Sequence, residues 1–196
     1  MESEFDTTEE KIISATFNIL RKEGVDKATT KKIAKEAGVN EVTVFRKFEN
    51  KKNLIEITKS YYFKKFLDKL EKNFDFTGDE SIDEYLLKNF DGLYNIPDED
   101  FSIIKVAMSE NDDIPEKKRL VFIIANTILN KIDEFFRLQK EKGNIRDIDT
   151  RILAINCFSV IFQSIVLRKI YHNAEEIDTE HYSNTFLDIL YDGIKP

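Results

Sequence analysis

The chain has 196 residues with only three prolines and six glycines, and its net charge is −7. That length suffices for a hydrophobic core, and so few turn residues exclude a strand-rich fold and point to helices. No run approaches the roughly 20 apolar residues of a bilayer span, the acidic start lacks the parts of a secretion signal, and the lone Cys157 excludes an intramolecular disulfide or a thiolate zinc cage. A cytoplasmic protein without metal or cofactor is expected.

Thr7 or Thr8 is expected to cap a first helix, with Glu9 and Glu10 at its positive end. Ile12, Ile13, Thr16, Phe17, Ile19 and Leu20 form its apolar stripe, and Gly24 stops it. Thr29 caps a short second helix, Thr30 to Ala37, with Ile33, Ala34 and Ala37 inward and Gly38 at its end. A third helix, about Glu41 to Lys47, has Asn40 as cap and Val39, Val44 and Phe48 inward. Asn50 caps a long fourth helix, Lys51 to about Asn73, carrying Leu54, Ile57, Tyr61, Phe66 and Leu70. After the polar break Thr77-Gly78-Asp79, the periodicity predicts helices near 80–94, 98–110, 116–142, 149–173 and 179–193, with Pro97 and Pro115 at helix starts. The fold class is therefore all-α, with about nine helices.

Charge is unevenly spread along this layout. Residues 21–52 carry ten basic and five acidic side chains, whereas 53–196 carry 19 basic and 27 acidic. Phosphate binding depends on local rather than net charge, because each contact made releases its own counterions. The basic excess falls on two helices of about two turns each, joined by Gly38-Val39-Asn40. One packing solution for such a pair is near-perpendicular, with the second member in the DNA major groove. Glu41, Val42, Thr43, Phe45, Arg46 and Lys47 are then the outward residues.

The run Thr29-Thr30-Lys31-Lys32-Ile33-Ala34-Lys35-Glu36-Ala37-Gly38-Val39-Asn40 resembles the second helix and turn of TetR-type regulators. Thr43-Val44-Phe45-Arg46-Lys47-Phe48 and Asn50-Lys51-Lys52-Asn53-Leu54 are similar to their recognition helix and the start of helix four. The resemblance covers residues 7 to about 60. Three positions depart from it: Val42 where a small residue is common, Phe45 in place of a tyrosine, and Lys47 in place of histidine or tyrosine.

The resemblance implies a DNA-binding domain over 6–66, with the helix-turn-helix at about 29–48, and an effector-binding and dimerisation domain over 67–196. Carried over by position, Thr29, Thr30 and Lys31 face a phosphate, Val42 and Thr43 face bases, Phe45, Arg46 and Lys47 flank the groove, and Lys51 holds a phosphate. Thr29 and Asn50 also read as caps. Lys31, Lys32 and Lys52 fit a solvated surface equally well. The family works as homodimers on palindromic operators in double-stranded DNA, more often as repressors than activators, and is released by small effectors.

The remainder is rich in large apolar groups. Tyr61, Phe90, Tyr94, Phe101, Ile104, Met108, Phe122, Asn126, Phe158, Phe162 and Gln163 are candidate lining of a cavity for an apolar or amphipathic effector, or ordinary helix packing. The last two long helices read as apolar on more than one face. Ile152, Ile155, Ile161, Ile165, Phe186, Leu187, Leu190 and Tyr191 are the candidate dimer interface. An enzyme is the chief rival, yet His172 and His181 form no His-Glu-x-x-His pairing, and no phosphate loop or nucleophile elbow occurs. A helical small-molecule-binding protein that no longer binds DNA is the other alternative. Cys157, among apolar neighbours, reads as a buried thiol.

Overall fold

A computed structural model describes residues 5–108, 119–169 and 179–194. Within them the chain forms nine α-helices and no strand: α1 Thr7–Glu23, α2 Thr30–Ala37, α3 Glu41–Phe48, α4 Lys51–Asn73, α5 Ile82–Tyr94, α6 Asp98–Met108, α7 Leu120–Glu141, α8 Thr150–Lys169 and α9 Thr179–Ile194. Pro115, His172 and the expected helix ends at 109–110, 116–118 and 170–173 lie outside the described residues.

The helix boundaries follow local chemistry, with one correction. The cap of α1 is Asp6 rather than Thr7 or Thr8. Its carboxylate accepts the N–H groups of Thr8 and Glu9, both at 2.9 Å, while the Glu9 carboxylate accepts the Asp6 N–H at 2.9 Å. A carboxylate cap with a glutamate three positions on satisfies two orphan donors reciprocally and complements the helix dipole. Ser81 and Glu84 repeat this box at the start of α5. Pro97 immediately precedes α6, as its missing N–H requires.

The chain divides into two compact units. The first contains α1, α2, α3, α4 as far as Leu67, and α6. Its core joins Ile12, Ile13, Ile19 and Leu20 of α1 to Ile33 and Ala34 of α2, Val44 and Phe48 of α3, and Leu54 and Ile55 of α4. Each short helix thus offers only two buried side chains, so α2 and α3 hold their angle through α1 and α4 rather than by themselves. Between α3 and α4 the joint is two residues long. Glu49 takes φ 65°, a left-handed value uncommon for a residue with a side chain, and Asn50 accepts the Asn53 N–H at 2.9 Å as the cap of α4.

The second unit contains the rest of α4, α5, α7 from Phe122, α8 and α9. An aromatic cluster centres it. Tyr85 stacks on Phe135 with centroids 3.8 Å apart, Phe76 meets both edge-on, and the Tyr85 hydroxyl donates to the Phe74 carbonyl at 3.1 Å. Gly92 lies so close to Asn73 that a Cβ there would come within 2.7 Å of its side chain, so α5 and the end of α4 pack without room for a methyl. The buried Asp133 carboxylate accepts the Thr150 hydroxyl at 2.7 Å and pairs with Arg137, tying α7 to the first turn of α8. In the connection between α4 and α5, the Glu80 carboxylate accepts the Thr77 and Gly78 N–H groups, each at 2.9 Å.

One expectation fails here. By length and composition α8 is apolar enough to cross a membrane, with a mean hydropathy of 1.7. Its polar positions Asn156, Ser159, Gln163 and Ser164 interrupt the apolar run, but the aliphatic and aromatic residues between them keep the mean high. Leu153, Ala154, Cys157, Ile161 and Ile165 are buried in the fold, although only 33% of the apolar window is, and a core helix meets the same length-and-composition criterion.

Candidate DNA-binding interface

The α2–α3 joint is built as the sequence indicates. Thr29 accepts the Lys32 N–H at 3.3 Å as the cap of α2. Gly38 sits at φ 67°, ψ 32°, the left-handed conformation that glycine adopts without a Cβ clash, and the Val39 N–H returns to the Ala34 carbonyl at 2.9 Å. Asn40 then accepts the Val42 N–H at 2.9 Å and starts α3. The N–H groups of Gly38 and Val39 thus both bond back to α2, that of Gly38 reaching the Lys35 carbonyl at 3.3 Å.

The two faces of α3 differ sharply. Val44 and Phe48, four apart, are buried, whereas Val42 is 71% and Phe45 45% exposed, with Arg46 exposed beside them. Positions 42, 45 and 46 share one helical face. A two-turn helix that turns a valine, a phenylalanine and a guanidinium outward offers methyl and ring contacts together with a phosphate ligand. That is a pattern suited to a DNA groove. Thr43 is half-buried at the edge of this face. Lys31 is exposed and Lys51 half-buried, and neither makes an ion pair with the described residues, nor does Arg46.

Two of the expected DNA ligands are already engaged. The Thr30 hydroxyl donates to Glu41 Oε1 at 2.6 Å, joining the first residues of α2 and α3. The Lys47 ammonium pairs with Asp6 and, at 3.4 Å, with Glu9. The Asp6 carboxyl is held below its ordinary range, first by the Lys47 hydrogen bond, and the Lys47 ammonium is raised by the same bond. Asp6 and Glu9 carry a local signal, the spacing of a capping box. Their partner stands 41 and 38 positions away, and nothing local marks it. Lys32 pairs with Glu23.

Residues 12–57 match the model of the tetR family of bacterial regulatory proteins. Residues 12–57 thus form a tetR-type domain within the chain. Among relatives, the uncharacterized HTH-type transcriptional regulator YvkB of Bacillus subtilis is 45% identical over 49 residues, so that the match spans only 25% of this chain and 26% of that regulator. The fatty acid metabolism regulator protein of Bacillus subtilis is 23% identical over 93% of each chain. The solved structure of the transcriptional regulator FadR from Bacillus subtilis in complex with stearoyl-CoA superposes with a TM-score of 0.61 at 23% identity, covering 94% of this chain and 98% of that one. The fold is shared along nearly the whole length.

The candidate effector residues divide between the two units. Tyr61, Phe101, Ile104 and Met108 belong to the first, where Phe101 and Ile104 are buried, Tyr61 is half-buried and Met108 is exposed. Phe90, Tyr94, Phe122, Asn126, Phe158, Phe162 and Gln163 belong to the second; Phe90 and Tyr94 are buried, Gln163 is exposed and the rest are half-buried. Arg168 lies over the Tyr94 ring at 4.3 Å and donates to the Tyr94 carbonyl at 2.9 Å.

The candidate dimer residues also separate. Ile152 and Ile155 are 54% and 39% exposed on α8, and Phe186, Leu190 and Tyr191 are half-buried on α9. Ile161, Ile165 and Leu187 are buried within the subunit itself. Ile189, which the sequence pattern does not single out, is exposed on α9.

Proposed function

We propose that the chain is a ligand-responsive transcription repressor of the cytoplasm that binds a palindromic operator as a homodimer and is released by a small apolar or amphipathic effector. The observation that carries the DNA-reading assignment is the split of α3, with Val44 and Phe48 anchored and Val42, Phe45 and Arg46 outward inside a tetR-type domain. Val42 and Thr43 meet bases; Arg46, Lys31 and Lys51 meet phosphates.

A two-fold pair of α3 helices needs a second interface. The exposed isoleucines 152, 155 and 189 on α8 and α9 supply an apolar face that water does not favour. The effector site is assigned to residues 67–196, with Phe90, Tyr94, Phe158 and Phe162 as its aromatic members and Asn126 as a polar anchor. An amphipathic acyl compound is the effector class we assign, since the near-full-length match is to a fatty acid metabolism regulator and the Bacillus subtilis FadR structure holds stearoyl-CoA.

The test is selection of duplexes from a random pool by the purified protein at stated salt, followed by titration of the selected duplex with acyl-coenzyme A esters. A palindrome is expected, with release by a long-chain ester. Failure to enrich any sequence at low salt removes the DNA-reading assignment. Enrichment without release removes only the effector class.

A further inference from the structure

Two consecutive residues ahead of α1 hold two different helices. The Phe5 ring packs edge-on against Tyr61 of α4, with centroids 5.6 Å apart, and Tyr61 meets Tyr62, which stacks on Phe17 of α1 at 3.7 Å. The neighbouring Asp6 pairs with Lys47 in the last turn of α3. Asp6 is not a loose surface carboxylate. Two backbone N–H groups of α1 already fix it, so pairing immobilises only one long side chain. Lys47, its side chain 25% exposed, faces two carboxylates rather than open solvent. Turning its ammonium to a phosphate would leave both carboxylates without their cation near a polyanion.

We propose that Phe5, Asp6 and Lys47 form a brace that sets α3 against α1 and α4, and that Lys47 is a positioning residue for DNA reading rather than a phosphate ligand. This rests on the DNA-reading assignment above. The brace differs in sign from two other arrangements. If Lys47 were a phosphate ligand restrained by Asp6, loss of the Asp6 charge would release it and tighten binding. If Asp6 merely repelled DNA, its loss would tighten binding whether or not Lys47 were present. A brace loses affinity when either end is removed, and removing both costs no more than removing one.

The experiment measures the affinity of the full chain for the duplex that the wild type selects from a random pool, over a series of salt concentrations. The variants are Asp6→Asn, which keeps a capping side chain, Lys47→Met, the double variant and Phe5→Ala, each confirmed helical by circular dichroism. Arg46→Ala and Lys51→Ala serve as phosphate-facing references. Each brace variant is expected to weaken binding about two- to fivefold, the range of a partly exposed ion pair. The double variant should be no weaker than the singles. The slope of log K against log salt should stay unchanged in Lys47→Met and fall by about 0.9 in a reference variant. Tighter binding by Asp6→Asn, a reduced slope in Lys47→Met, or wild-type affinity in both variants overturns the brace and leaves DNA reading intact. A wild type that selects no duplex sinks both.

Discussion

The Thr30 hydroxyl and the Glu41 carboxylate, eleven residues apart, join the first turns of α2 and α3 by a 2.6 Å hydrogen bond. The bond links the start of α2 to the start of α3, a tie additional to the Gly38 turn that joins the two helices along the chain. Thr30→Val and Glu41→Ala should each lower unfolding free energy by about 0.5–1.5 kcal/mol, and the two together should cost less than their sum. Denaturant titration of the four proteins in this cycle checks it. Full additivity would mean that the bond contributes nothing in solution.

The apolar face of α8 carries the second prediction. Ile152→Asp with Ile155→Asp places two charges where the proposed partner packs, at positions already exposed in the subunit. The subunit should stay folded while the dimer dissociates, because a buried unpaired charge is costly and an exposed one is not. Light scattering should give the mass of one chain instead of two. A double variant that remains dimeric would move the interface elsewhere.

Cys157 is fully buried, and burial pushes its thiol up to about 12. A protonated, inaccessible thiol is a poor nucleophile. Iodoacetamide at mildly alkaline pH should therefore leave the native chain unmodified and label it once denaturant exposes α8. Mass spectrometry reads both states, and rapid labelling of the native chain would contradict the packing described.

Glu80 supplies a dependence on acid. The Thr77 N–H is the first cause, followed by the Glu80 and Gly78 N–H groups, and together they lower the carboxyl from 4.5 to about 2. A depressed folded value means that the unfolded chain binds the proton more readily. The contribution to stability is thus complete above about 4.5 and is lost as the pH falls towards 2. Glu80→Gln should flatten the stability profile within that window and leave its slope above pH 4.5 unchanged. Identical profiles would show that the carboxylate is not held in solution.

The elements that were legible in the sequence are those whose chemistry is local. Thr29, Gly38, Asn40 and Asn50 act where their neighbours say they should, and Ile33, Val44 and Phe48 fall on the inward face because helical period alone places them. The cap of α1 falls one or two residues before the expected Thr7 or Thr8 because threonine and aspartate cap alike, and the reciprocal bond from Glu9 decides for Asp6. Lys47 reads as outward by periodicity, yet its carboxylate partners come from the far end of the domain, a relation that no local rule contains. On α8 the difficulty is of another kind. A helix apolar on more than one face has no single stripe to read, so Ile161 and Ile165 look like Ile152 and Ile155 until the neighbouring helices are in place.

The two-residue joint at Glu49-Asn50 has a practical meaning for protein engineering. A left-handed glutamate there costs about 1–3 kcal/mol, and Asn53 ties the far side of the joint back to the Phe48 carbonyl at 3.1 Å. The splice therefore has no slack: α3 cannot be swivelled without dragging the first turn of α4 along. Transplanted alone, α3 would arrive with its aim undefined. A graft that keeps the aim of α3 needs the stretch from Asn40 to Leu54, hinge included, on a scaffold that supplies the α1 and α2 contacts.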